Sequence, residues 1–135
     1  MDDLSFDKEK ILQSWIELSD EDFDTMIVMY DNRRFNWSLF LGHLVIEKLL
    51  KALYVKIHSK HPPYTHNLLK LIELNELKIS NDDKVFYVTV STFNLNARYD
   101  DYKKSFNLQC TPEYTLQWIN EIKTKRTWIR KLLKQ

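Results

Sequence analysis

The sequence predicts an all-α fold, an up-and-down bundle of four to five helices. Three observations carry that expectation. Only one glycine and three prolines occur in 135 residues, too few breakers for a set of hairpins or for Gly-rich phosphate loops. Long stretches are rich in Leu, Lys, Glu and Ile, which favour helix. Apolar residues recur at helical rather than alternating spacing along most of the chain. With 44% hydrophobic and 13% aromatic residues, the chain can build one substantial core but not two, so residues 1–135 read as a single helical domain.

The first helix is expected from about Asp7 to Asp31, where Ile11, Trp15, Leu18, Phe23, Ile27 and Tyr30 form an apolar stripe among polar residues. Ser19 to Asp22 interrupts the stripe. Ser-x-x-Asp resembles a capping box and would suit a helix restart, but one long helix with an irregularity at this point is expected. DNRRFN reads as a turn. From Trp37 to about His58 apolar residues nearly surround the next helix, which makes it the central one. Glu47 precedes Lys51 by four, the favourable order for a helical ion pair, with His43 on the same face. Paired prolines in HSKHPPYTH end that helix in a loop. His58, His61 and His66 fall in and around this loop with no Cys, Asp or Glu among them, so no metal site is expected.

A short helix over about Asn67 to Leu74 should turn Leu68, Leu71 and Ile72 inward. Ser80 to Asp83 then starts another. The β-branched run VFYVTV would suit a strand, but its alternation is poor and no partner strand is evident. Phe86, Val90, Phe93 and Ala97 step at helical spacing, so helix is expected to Ala97. Arg98 and Tyr99 end it, and a loop holding Asp100, Asp101, Lys103 and Lys104 should reach Cys110. Thr111 as N-cap and Pro112 at the first helical position open a last helix, carrying Trp118, Ile122, Ile129 and Leu133.

Composition excludes several classes. Cys110 is the lone cysteine, so no internal disulfide is possible. No stretch approaches the roughly 18 apolar residues that would span a bilayer, and the acidic start MDDLSFDKEK does not resemble a signal peptide, which predicts a cytoplasmic protein. Net charge is +1, but it is uneven. Residues 1–31 hold ten acidic and two basic side chains, net −8, and the remainder carries +9. The two parts either neutralise each other within the fold or form opposed faces. After Glu121 every charge is positive: Lys123, Lys125, Arg126, Arg130, Lys131 and Lys134. Interaction with the helix dipole accounts for some of these, and a contact with nucleic acid is the alternative.

Three features occur in order: the Ser19-x-x-Asp22 helix, HLVIEKLLKALY followed by YTHNLLKL, and ARYDDY before a long last helix. Together, over roughly residues 12 to 134, they resemble the HEPN family, the higher eukaryote and prokaryote nucleotide-binding domain. The most specific part is Glu47, Lys48 and Lys51, followed by Thr65, His66 and Leu68. Arg98 and Tyr99 fall where many members carry an Arg-Tyr pair. The resemblance implies a bundle of four to five helices that dimerises through its longer helices. It also implies one of two functions. Some members are metal-independent ribonucleases and toxins, with an arginine followed four to six residues later by a histidine at a dimer cleft. Others lack the histidine and look like binding modules, often encoded beside a small nucleotidyltransferase.

Here no histidine follows His66, so the ribonuclease motif is incomplete. Cleavage by 2′-hydroxyl attack needs a base, a donor for the leaving oxygen and a cation for the phosphorane. Arg98 can supply the cation, whereas Lys103, Lys104 and Tyr102 are poor bases near neutral pH. His66, in THNL, reads as a helix cap or a core hydrogen-bonding group. The expectation is therefore a non-catalytic homodimer, without cofactor, that binds a nucleotide, an RNA or a nucleotidyltransferase partner. Arg98 would hold phosphate, Tyr99 and Tyr102 would stack on bases, and Lys103 and Lys104 would add charge. The alternatives are a ribonuclease toxin with a diverged site, Arg98 being its one catalytic candidate, and a structural or antitoxin-like module. In the last, Arg98 would bond its own helix's final carbonyls and pair with Asp100 or Asp101.

Overall fold

The computed structural model describes residues 6–135. Asp2 and Asp3 of the acidic segment lie outside them. The helices are α1 (Lys8–Asp31), α2 (Phe35–His58), α3 (Leu68–Leu74), α4 (Asn81–Asn96), α5 (Asp100–Gln109) and α6 (Pro112–Leu133). No strand occurs among the described residues, and no helix there is long and apolar enough to cross a membrane.

Local chemistry sets most boundaries. The side chains of Asp7, Asn67, Ser80 and Thr111 each accept a backbone N–H three residues on, at the starts of α1, α3, α4 and α6. Arg33 takes a left-handed backbone, φ 61°, and Arg34 N donates back to Met29 O, which turns α1 sharply into α2. Ser59 ends α2 in the same left-handed region, just before Pro62 and Pro63.

α2 is the axis of the bundle and touches α1, α3, α4, α5 and α6. Leu39, Val45, Ile46, Leu49 and Leu50 on it are fully buried, in one cluster with Met26, Leu71, Phe86, Val90, Phe93, Phe106, Ile119, Ile122 and Ile129. α1 lies antiparallel against α2, joined by two buried serine bonds: Ser19 Oγ donates to Val45 O at 2.9 Å and Ser38 Oγ to Met26 O at 2.8 Å. Gly42 permits the close approach of α6. A Cβ there would stand 2.5 Å from Ile122 Cδ1, so only glycine fits without displacement.

Of three local expectations one changes, the loop expected over residues 100–109. The Ser19-x-x-Asp22 stretch neither caps nor interrupts a helix: α1 is continuous, Ser19 is buried against α2, and Asp22 pairs with Lys48 at 2.6 Å. Tertiary partners claimed both polar side chains. Residues 100–109 form α5 rather than a loop. Asp100 and Asp101 sit in its first turn, where free amides and the positive end of the helix dipole favour carboxylates, and Phe106 anchors it in the core. α5 brings the helices to six. The VFYVTV stretch is helical, with Phe86, Val90, Phe93 and Ala97 all buried.

Candidate functional site

Arg98 stands at the junction of α4 and α5. Its backbone N–H, and that of Tyr99, both donate to Leu95 O, which closes α4. The side chain folds back so that Nε donates to Asn94 O at 2.9 Å. Its guanidinium lies over the rings of Phe40, at 5.9 Å, and Tyr99, at 5.4 Å, within cation–π range. The expected pairing with Asp100 or Asp101 does not form. Both carboxylates are drawn into the first turn of α5, and Arg98 makes no ion pair among the described residues. The bond to a carbonyl at the end of its own helix does form. Arg98 is thus exposed, flanked by rings, and spends only Nε on the protein, which leaves its terminal amino groups for an acceptor such as phosphate.

One turn along α5, Lys103 Nζ sits 5.4 Å from the Trp37 ring. Trp37 and Phe40 are themselves edge-to-face at 5.7 Å. The same surface continues to the α1–α2 turn, where Arg33 lies over Phe35 at 5.2 Å. An open cavity of about 240 Å³ there is lined by Arg33, Arg34, Phe35, Asn36, Asn107 and Cys110. Burial pushes the Cys110 thiol up to about 12, so it is neutral and no nucleophile.

The residues predicted for a site are therefore divided. Arg98, Tyr99 and Lys103 share a basic, aromatic surface with α2. Tyr102 turns to the other side of α5, lining a cleft of about 160 Å³ with Asn96, Ser105, Phe106 and Gln109. Lys104 is exposed and joins neither. Sequence reasoning missed Trp37 and Phe40, which were assigned to the core, and Arg33 and Arg34, which were assigned to a turn. The available signal was the run RRFNW, two cations beside two rings.

A second polar cluster lies on α2. Glu47 is buried and receives Lys51 Nζ at 3.0 Å and His66 Nδ1 at 2.8 Å. His43, fully buried one turn earlier, donates from Nε2 to His66 O at 2.9 Å, leaving Nδ1 without a partner. Burial holds the His43 imidazole below its ordinary value, against the weaker opposing pull of the His66 carbonyl and the Glu47 charge. The Glu47–Lys51 pair is as expected. His66 does hydrogen-bond to the core, while the capping of α3 falls to Asn67. This cluster ties loop 59–67 onto α2 by 19- and 23-residue contacts.

Acidic and basic segments meet inside the fold. Asp20 accepts from Arg130 at 2.7 Å and from Arg126 at 3.2 Å, and Arg126 also lies 3.8 Å from the Phe23 ring. Lys125 pairs with Asp83. Half of the basic run on α6 is thereby engaged, while Lys123, Lys131 and Lys134 are exposed. Among the described residues no group of His, Cys, Asp and Glu could hold a metal ion.

No curated protein and no solved structure matches this chain. A family model, the HEPN domain, matches residues 12–132, which takes in all six helices except the ends of α1 and α6, and with them both the Glu47 cluster and the Arg98 junction. With that match over nearly its whole length, the chain belongs to the HEPN domain family.

Proposed function

We propose that this protein is a non-catalytic HEPN module that binds a nucleotide or RNA phosphate at the Arg98 corner and acts as a homodimer. The observation that carries this reading is the state of Arg98. It is held in place by Asn94 O and two rings, it is free of any carboxylate among the described residues, and it has Lys103 beside it on the same surface. A cation so placed is preorganised for phosphate. Tyr99, half exposed, offers a ring for a base. Arg33 and Arg34 extend the positive surface for a longer strand.

The same corner is poorly equipped for cleavage. No histidine follows Arg98, His66 gives its Nδ1 to Glu47, and His43 and His58 bond backbone carbonyls through Nε2. Calorimetric titration of ATP, GTP and a short single-stranded RNA into wild type and Arg98→Ala tests the reading. Binding by wild type that weakens tenfold or more in the variant is expected. Absence of binding by either form removes the ligand. Metal-independent RNA cleavage by wild type, lost in Arg98→Ala, would replace this reading with the ribonuclease alternative. A nucleotidyltransferase partner is a further component of the proposal, supported by family membership alone and checked by co-purification.

A further inference from the structure

Glu47 does more than balance Lys51: it orients an imidazole. Its Oε1 accepts from His66 Nδ1 at 2.8 Å, while Lys51 holds Oε2 at 3.0 Å. A carboxylate can only accept, so Nδ1 carries the ring proton and Nε2 of the neutral imidazole keeps a lone pair. Nε2 lies across the ring from Nδ1 and so faces away from the core. It has no partner among the described residues, and the His66 side chain is 39% exposed. The backbone of the same residue is pinned by His43 Nε2 on His66 O at 2.9 Å. An acceptor is thus held at the surface from two sides.

The groups around it follow in a definite order. On one side stands Tyr64, 92% exposed, with its ring 5.6 Å from that of His66 and Lys51 Nζ 5.9 Å from its centroid. A tyrosine so exposed adds little to the core and offers a base a ring to stack on. On the other side, Phe40, Leu44 and Glu47 succeed one another at intervals of four and three residues, one face of α2. Phe40 and Leu44 are only half-buried. Phe40 is the ring that carries the Arg98 guanidinium, so His66 and Arg98 stand over the same face of the central helix. Their anchor points are two turns apart, about 10 Å at 1.5 Å per residue.

We propose that His66 is the ribose contact of the Arg98 site: Nε2 accepts the ligand's 2′-hydroxyl, Tyr64 stacks on its base and Arg98 holds its phosphate. The inference rests on the phosphate reading of Arg98 and adds the sugar to it. Acceptor character selects the occupant. Phosphate oxygens at neutral pH also accept and give Nε2 nothing, and a deoxyribose has no hydroxyl at that carbon. The 2′-hydroxyl is a donor that stays free even within a strand. Two ligands present it at this remove from a phosphate. In a ribonucleoside triphosphate the outer phosphate lies beyond two others, and in a strand ~10 Å spans about three stacked nucleotides. The same separation keeps the imidazole off the phosphate that Arg98 holds, so it reads the hydroxyl without driving it at that phosphorus. Glu47 is then a positioning residue, which sets the tautomer and the direction of the ring.

Calorimetry of ATP against 2′-deoxy-ATP, and of tetra-adenylate RNA against the DNA of the same sequence, tests this. Wild type should bind the ribose form of at least one pair about tenfold more tightly than the deoxy form, and the pair that shows it identifies the ligand as mononucleotide or strand. His66→Ala should bring that ratio close to one, whereas Arg98→Ala should weaken both forms alike. A loop merely loosened by the substitution would weaken both forms together and leave the ratio unchanged. Where the strand is the ligand, the 2′-O-methyl RNA, which lacks the donor, should bind wild type no better than the DNA does. Equal affinity of wild type for the ribose and deoxyribose forms of both pairs, or a ratio that survives His66→Ala, overturns the ribose contact. Equal binding that still depends on Arg98 leaves the phosphate reading standing, and no binding of any ligand removes both.

Discussion

His66 Nδ1 donates to Glu47 Oε1 at 2.8 Å, across 19 residues of sequence. The bond joins a half-exposed loop to a carboxylate buried in the central helix, and Lys51 holds the other oxygen of that carboxylate at 3.0 Å. A buried ion with two donors is tolerated; the same ion, or its lysine, left alone is not.

Glu47→Ala should therefore destabilise the protein by about 3–5 kcal/mol, because it strands the buried Lys51 ammonium. Glu47→Gln should cost less, since the amide oxygen still accepts one bond. Urea unfolding followed by circular dichroism measures both, and a loss under about 1 kcal/mol for Glu47→Ala would contradict the role of this cluster.

Stability should fall with pH below about 6.5, the ordinary histidine value. Burial lowers the folded-state value of His43, so the unfolded chain binds a proton that the folded one resists. Its contribution is fully present above the unfolded value and is lost as pH falls through it, at a limiting slope of about 1.4 kcal/mol per pH unit. Glu47, Lys51 and His66 face His43 and set its local field. Chemical denaturation between pH 5 and 8 tests this, with His43→Gln expected to flatten the slope.

Gly42 and Ile122 should be energetically coupled. Gly42→Ala puts a methyl group onto Ile122 Cδ1, an overpacking cost of about 1–3 kcal/mol, partly offset by the higher helix propensity of alanine, worth about 1 kcal/mol. Ile122→Val removes the clashing carbon. A double-mutant cycle should show the pair costing less than the sum of the single changes by about 0.5 kcal/mol or more.

Asp20→Ala should do little despite two arginine partners. Its side chain is 42% exposed, so the expected cost is under about 1 kcal/mol and shrinks further in 1 M salt. Thermal melts at low and high salt provide the comparison, and a large, salt-independent loss would mean that Asp20 matters beyond its ion pairs.

Taken by itself, the sequence determined the helices whose signals are local. Asp7, Asn67, Ser80 and Thr111 each cap within three residues, and the periodic apolar stripes of α4 and α6 name their own buried faces, whereas in α1 Leu18 of the expected stripe is 41% exposed and Met26, outside it, is fully buried. The Glu47–Lys51 pair was legible for the same reason, both partners lying on one turn. Only the tertiary structure decided the rest. α5 buries one side chain, Phe106, whose ring packs on Phe93 of α4 at 5.5 Å, a partner that only the packed core supplies. Ser19 and Asp22 looked like a cap until α2 supplied better partners. Around Arg98, nearby aspartates suggested a pair, yet the first turn of α5 took them and Phe40, 58 residues earlier in the chain, took the guanidinium. Caps and periodicity act within a turn or two, whereas competition among polar partners is settled by whichever distant groups the packed core brings close.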